Sequence, residues 1–397
     1  MSIPAAMRVL GVVPAVLLIA AVAALANCSV EFLLRYSRWG GGACTYAGVM
    51  GDAFGRAGAV LLNVCVAFTT LGTLVVYLII IGDVMSGSAA GEDAHVGVLQ
   101  DLFGAQWWTT RAVVLLVTAV VVLLPLVLRR RVDSLRYTSA VSILLAVVFI
   151  LISLGIAVFA IFKGNVKMPR MFPDFSRLSS PFELFTAVPV IVFAFTFHFN
   201  VHPIRAELET SSDMVAAVRI SLVLCSAIYA AVGFFGFLLF GEATMADVLV
   251  NFDQSSGAGV PQVLNDLARL SYALHLVLVF PLLNFSLRFN VDELLFRGDK
   301  RPPLAADTRR FALLTAALMA VLYAMAIAIP SIWTLIQYGG SVFPVSLSLI
   351  FPGAIVLRDV HGIAKKKDKA LGLTMIFVAV VSSSIAITTN IMSSSRD

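Results

Sequence analysis

The sequence predicts an all-α polytopic membrane protein, and three observations carry that prediction. Of its 397 residues 60% are hydrophobic and 13% charged, with a mean hydropathy of +0.96. That is more apolar surface than one or two globular cores absorb. Apolar runs long enough for a hydrocarbon core of about 30 Å, roughly 20 residues each, recur from end to end. The basic residues are segregated: 35–56, 129–136, 203–219, 288–310 and 357–370 together hold 20 of the 28 Lys and Arg. The positive-inside rule makes those segments cytosolic. The formal net charge of +5 is therefore topological, and "RRR" (129–131) and "KKK" (365–367) do not imply a nucleic-acid partner.

Ten full crossings are expected, at 11–34, 57–82, 112–128, 138–162, 182–202, 216–240, 264–287, 311–329, 331–356 and 371–392. Ahead of the first, "MSIPAAMRVLG" has an apolar stretch too short to cross and no basic n-region to make it a signal peptide. The charge count puts this stretch on the non-cytosolic side, so it reads as the second half of a helix whose first half is missing. Segment 43–56, "ACTYAGVMGDAFGR", is too polar to span but lays one apolar face on a bundle. Its glycines lack the following Gly-Lys-Ser/Thr of a phosphate cradle. The loops at 83–108 and 241–263 read as solvated connections. "NCS" (27–29) lies within a span and "RGD" (297–299) on the cytosolic side, so neither is read as a modification or adhesion signal. Cys28, Cys65 and Cys225 lie in apolar runs and Cys44 in a loop, which excludes a disulfide scaffold.

Where charge is scarce, polar groups inside spans are informative. The richest stretch is 193–204, "FAFTFHFNVHPI". His198 and His202 are four apart, a spacing that would suit a membrane-embedded metal enzyme if the helix were continuous. Pro203 biases His202 out of the α region, so the helix is expected to end there and the shared face to be lost. With five histidines in the chain and no second pair, a di-iron site is not completed. The alternatives are neutral, hydrogen-bonded interfacial histidines, or an interrupted helix that offers its backbone to a ligand within Val192–Asn200. "IQYGGSVFP" (336–344) places Gly339 and Gly340 mid-span before Pro344, Ser271 and His275 lie one turn apart with Tyr272 beside them, and Asn63, Thr69 and Thr70 line another span. No carboxylate sits at a span centre: Glu31, Asp83, Glu183 and Asp266 are all near ends. A small zwitterion needs none, because helix N-terminal amides hold its carboxylate and exposed carbonyls its ammonium. The histidines or the end-of-span carboxylates are the groups open to proton coupling.

Through "TAVPVIVFAFTFHFNVHPI", "FGEATMADVLVNF", "IPSIW", "YAGVMGDAFG" and "RDVHGIAKKKDK" the whole chain resembles the amino acid/auxin permease family. The branch it looks most like is the plant vacuolar amino acid transporters, similar to sodium-coupled neutral amino acid transporters. The resemblance implies one transmembrane domain over 1–397 of LeuT-like design, two inverted five-helix repeats plus one extra helix. Residues 1–10 would be the remnant of the first helix, 11–162 the rest of the first repeat, 182–356 the second repeat and 371–392 the extra helix. Broken first and sixth helices would hold the substrate, with Ser2, Ile3, Phe195, Thr196, His198 and Asn200 as binding residues. The eighth helix would supply Ser271, Tyr272 and His275 to a coupling ion, H+ or Na+, with no other cofactor. A "G-A-G-I" run that the family carries before the proline found here as Pro4 is absent, so the first helix is expected to be truncated.

The expected function is secondary active, cation-coupled transport of neutral or acidic amino acids by alternating access. The protein would be a monomer in the vacuolar membrane, with the plasma membrane and endoplasmic reticulum as alternatives. The competing readings are a non-transporting amino-acid sensor or scaffold, and the His-metal enzyme.

Overall fold

A computed structural model describes residues 2–39, 45–88, 95–130, 133–164, 168–176, 180–208, 211–245, 247–253, 262–296, 302–329 and 340–394. Cys44, "RGD" and Gly339 lie outside the described residues. The short helix α1 (Ile3–Leu10) ends at Gly11, whose φ of +78° no L side chain adopts readily. A Cβ there would also lie 2.7 Å from the backbone of Phe172. Helix α2 (Val12–Trp39) follows at once, its first amides donating to Arg170 O (3.0 Å) and Met171 O (3.0 Å). Helix α3 (Tyr46–Ser86) starts under a Thr45 cap, with Oγ1 accepting from Gly48 N at 3.0 Å, and bends at Gly55 (φ +68°). The turns before Gly55 bury Tyr46, Ala47, Val49, Met50 and Ala53, the one-sided helix expected of segment 43–56.

A two-residue ladder, β1 (Gly87–Ser88) against β2 (His95–Val96), and α4 (Val98–Phe103) join α3 to α5 (Arg111–Val127). Then come α6 (Arg136–Phe162), α7 (Ala187–Ala194), α8 (His198–Ala206), α9 (Ser211–Phe240), α10 (Val248–Asp253), α11 (Gln262–Leu295), α12 (Thr308–Ala328), α13 (Phe343–Arg358) and α14 (Lys366–Ser394). Among the described residues eight helical segments have the length and apolarity to cross a membrane; α5 and α13, where two further crossings were expected, are shorter, and 331–339 of the ninth expected crossing lie outside the described residues. Gly340 lies in the turn before α13 rather than inside it.

Contacts between helix ends sort into two sets, as alternating crossings require. At one end Arg8, Arg170 and Glu242 meet; at the other Tyr36, Arg35, Asp359 and Asp368 meet, as do Arg130 and Ala305. The second set carries the basic loops.

Two apolar cores fill the bundle. One is built from α1, α2, the first part of α3, α7, α8, α9, α13 and α14; the other from the remainder of α3, α5, α6, α11 and α12. Leu283 packs against both. Lipid is as apolar as leucine, so close backbone approach and shape rather than water exclusion hold such helices together. Glycines mark those approaches: Gly233 receives Ile3 and Met7, Gly236 receives Pro4, and Gly353 of α13 meets Gly372 of α14.

Candidate binding site

The fifth crossing is interrupted. α7 stops at Ala194, Phe195–Phe197 are non-helical, and α8 begins at His198, within the expected Val192–Asn200. No glycine makes this break; side chains and tightened turns do. Phe195 N donates to Val192 O (3.1 Å) and Thr196 N to Phe193 O (3.0 Å), i to i−3 bonds that end a helix. Thr196 Oγ1 takes Val192 O again at 2.9 Å, and Tyr229 Oη, from α9, donates to Ala194 O at 2.8 Å. The Phe195 ring stands edge-on to Tyr229, centroids 5.1 Å apart. Beyond the break, Asn200 N donates to Phe197 O (2.9 Å), while the amides of His198 and Phe199 are among those a helix start leaves without internal partners.

The expected end of the helix at His202 is corrected. α8 runs through Pro203 to Ala206, so His198 and His202 do share a face. The proline removes only the donor for Phe199 O, and Phe199 lines a cavity where solvent can serve that carbonyl. Both histidines are buried, at 0% and 3% exposure, and none of their four ring nitrogens has a protein hydrogen-bond partner. His198 stacks on Phe197 and His202 on Tyr46. Among the described residues no third His, Cys, Asp or Glu groups with them.

A second irregular helix faces the first. Ser346–Ile350 of α13 form a π turn between Pro344 and Pro352, the kind of bulge found at functional sites. Ser348 Oγ lies 2.8 Å from Thr196 Oγ1, whose own hydrogen is spent on Val192 O, so Ser348 donates. Ser29 Oγ donates to Ser348 O at 2.7 Å, and Tyr46 Oη to Leu347 O at 2.8 Å. From α11, Ser286 Oγ donates to Asn200 Oδ1, and Asn290 Nδ2 reaches Ser286 O at 2.7 Å.

Toward the basic-loop end these elements enclose a cavity of about 310 Å³, lined by Tyr46, Phe199, His202, Ser286, Asn290 and Glu293 among others. That is the small end of the range for ligand pockets. At the opposite end Arg170 pairs with Glu242 (2.7 Å) and donates to Arg8 O (2.8 Å).

Of the residues expected at the substrate, Thr196 and Asn200 join the polar contacts around the break, Phe195 packs on Tyr229, and His198 is buried one turn above the cavity. Ile3 is buried against Gly233, and Ser2 precedes α1, its carbonyl bound to Ala6 N. None of these six lines the cavity itself. The ion candidates lie elsewhere on α11. Ser271 Oγ bonds Ala268 O (2.8 Å), His275 Nδ1 donates to Ser142 O (2.7 Å), and the Tyr272 ring stacks on His275. His275 and Ser271 are some 16 and 22 Å along the helix from Ser286. Asn63 and Asn284 are buried next in sequence to cavity residues Leu62 and Phe285, with Asn63 Oδ1 and both Asn284 amide atoms unpaired.

Sequence reasoning missed Ser29, Ser348, Tyr229, Tyr46 and Ser286. The proline pair bracketing Ser348 was a readable signal, since two prolines in one span cannot both keep regular pairing. The other four contact partners distant in sequence, which no local pattern identifies.

Eight membrane-length apolar helices and two shorter ones around an interrupted helix, with a largely apolar cavity toward the basic-loop end, describe a multi-pass membrane protein. The chain belongs to the family described as "Transmembrane amino acid transporter protein", whose pattern matches residues 1–394. It is 52% identical over 393 residues to "Amino acid transporter AVT6C" of Arabidopsis thaliana, covering 99% of this chain and 90% of that one. "Amino acid transporter AVT6D" of the same plant is 50% identical over 392 residues, 98% of this chain and 88% of the relative. "Sodium-coupled neutral amino acid transporter 7" of Danio rerio is 25% identical over 323 residues, 79% and 65% of the two chains. Its kin are transporters, so the protein is an amino acid transporter and not an enzyme.

Proposed function

We propose that the protein is a secondary active transporter of neutral or acidic amino acids, coupled to H+ or Na+ and working by alternating access in the vacuolar membrane. The observation that carries the substrate site is the pair of unpartnered ring nitrogens of His202, which lines the cavity beside the interrupted helix. A buried polar group without a partner is costly to keep, and a ligand that supplies the partner explains its retention. In this reading the carboxylate lies against the first amides of α8 and the ammonium against carbonyls freed by the break.

Alternating access is supported by the two separate cores. In this reading the one holding α1, α7, α8 and α9 rocks as a body against α11 and α12, which shuts the cavity between them, and the Arg170–Glu242 pair is the closure at the opposite end. In this reading the cavity at the basic-loop end marks the cytosol-open state of that cycle. Cation coupling and a neutral substrate are favoured by the name of the Danio rerio relative; a cation drives the cycle only by binding one state more tightly. The inverted repeat and the vacuolar location follow from the family resemblance.

The test is uptake of labelled neutral and acidic amino acids into proteoliposomes under a proton gradient, a sodium gradient or neither. Accumulation driven by one gradient is the expected result. Equal uptake under all three conditions removes the coupling, and binding without flux replaces the transporter by a sensor.

A further inference from the structure

Next to the substrate cavity lies a second one of about 590 Å³, also at the basic-loop end, and the two share Thr45, Phe285, Phe289 and Glu293 on their walls. The second cavity is lined by Arg130, Arg288 and Arg310, with Asp292 and Glu293 as its carboxylates. Arg288, on α11, is only 2% exposed and has no ion-pair partner among the described residues. Its Nη1 donates to Val127 O (2.8 Å) and Thr315 Oγ1 (3.0 Å), its Nη2 to Arg129 O (3.3 Å), and its guanidinium lies 4.0 Å over the Phe311 ring. These carbonyls, the Thr315 hydroxyl and the Phe311 ring offset that charge in part, with no carboxylate paired to it among the described residues. Such a charge is expensive in a low-dielectric site unless an anion reaches it.

The neighbouring charges do not provide that anion. Asp292 is spent on Arg310, with Nε 3.1 Å from Oδ1. Arg130 holds Ala305 O (3.0 Å) and Thr308 Oγ1 (3.1 Å) and keeps an exposed guanidinium. Arg130 and Arg288 therefore face Glu293, which stands on the wall shared with the substrate cavity, and the balance is positive. Two planar guanidiniums beside an aromatic wall suit a phosphate ester, whose multiple oxygens accept bonds from both. Basic pockets between helices on the cytosolic side are where anionic headgroups bind.

We propose that the cavity around Arg288 and Arg130 is a binding site for a phosphomonoester, carried either by a membrane phosphoinositide or by a soluble organic phosphate. The site is built from Thr45, the chain just beyond α5, α11, α12 and the loop 302–307, with no part of α7 or α8. Its effect on transport rests on the alternating-access reading, in which a ligand there braces the core against which the other moves, whereas its binding does not.

The test measures binding of short-chain phosphatidylinositol 4-phosphate and, separately, inositol 1,4-bisphosphate to the purified full chain, with phosphatidylglycerol as the charge control. At least one of the two phosphomonoesters binds, and Arg130→Gln weakens it at least tenfold. Arg136→Gln, an exposed arginine outside the cavity, leaves it within twofold. Binding of the lipid alone assigns the headgroup, and binding of both assigns the phosphate irrespective of carrier. Arg288→Lys keeps the charge and loses the fork, and is expected to weaken binding in parallel; Arg130→Gln keeps the test decisive if that variant does not fold. Absence of binding by both probes, phosphatidylglycerol binding as tightly, or equal loss in Arg136→Gln overturns the proposal.

Discussion

Replacing Tyr229 by phenylalanine removes one hydroxyl and keeps the ring that stands against Phe195 at 5.1 Å. The hydroxyl donates to Ala194 O, the last carbonyl of α7 before the interruption. A buried acceptor stripped of its donor costs about 1–3 kcal/mol, a factor of about five to 150 in an equilibrium. If the break must be organised to receive the amino acid, that cost falls on the fraction of molecules competent to bind, and the apparent Kd weakens by the same factor. The assay is equilibrium binding of labelled amino acid to purified protein, alongside a thermal unfolding curve. Tyr229→Phe is expected to bind at least fivefold more weakly. The control is Tyr323→Phe, whose hydroxyl donates to Ala112 O at an exposed position (3.1 Å) and is expected to change nothing. A Kd within twofold of wild type for Tyr229→Phe, or an equal loss in Tyr323→Phe, refutes the assignment of the break as part of the site.

Three further outcomes follow from other parts of the molecule. Glu242→Gln removes the charge facing Arg170 in a pair that is 25% and 44% exposed, worth at most about 1 kcal/mol; Ile3→Cys, in a chain with its native cysteines replaced, should then react up to about fivefold faster with a thiol reagent from the non-cytosolic side, and an unchanged rate rules out the closure. Asp359 is subject to burial, which raises its pKa, but hydrogen bonds from Tyr36, Lys369 and the amides of Ala364 and Ile363 outweigh it and hold the carboxyl at about 2, below its ordinary 3.8. The stability it adds is fully present above pH 3.8 and is lost as pH falls through 2, so the difference in Tm between wild type and Asp359→Asn should shrink across that window and not between pH 8 and 5. Gly236→Ala would set a Cβ 2.6 Å from Pro4 and lift α1 from α9, lowering Tm and uptake, whereas Gly72→Ala, with nothing within 4 Å, should be neutral or stabilising by about 0.5–1 kcal/mol.

The membrane class, the eight membrane-length helices and the interruption were legible because each rests on a local property. Apolar length sets a crossing, Lys and Arg counts set its direction, and polar residues at 196–202 mark where the winding fails. Pro203 misled, because the rule that a proline ends a helix assumes the freed carbonyl has no other recourse, and Phe199 has a cavity beside it. The partners of the break were not legible. Ser348 lies 152 residues from Thr196, and Tyr229 35 from Ala194. Such pairings follow from how the two cores pack, which is a property of the folded bundle.

His202 lines the cavity, stacks on Tyr46 and carries two ring nitrogens without a protein partner. His202→Phe keeps the ring and the stacking and removes both nitrogens, so equilibrium binding of the labelled amino acid isolates their contribution. With Thr388→Ala on α14 as the exposed control, the expected result is at least a tenfold loss of affinity in His202→Phe alone. Affinity within twofold of wild type would contradict the claim that this interrupted helix holds the substrate.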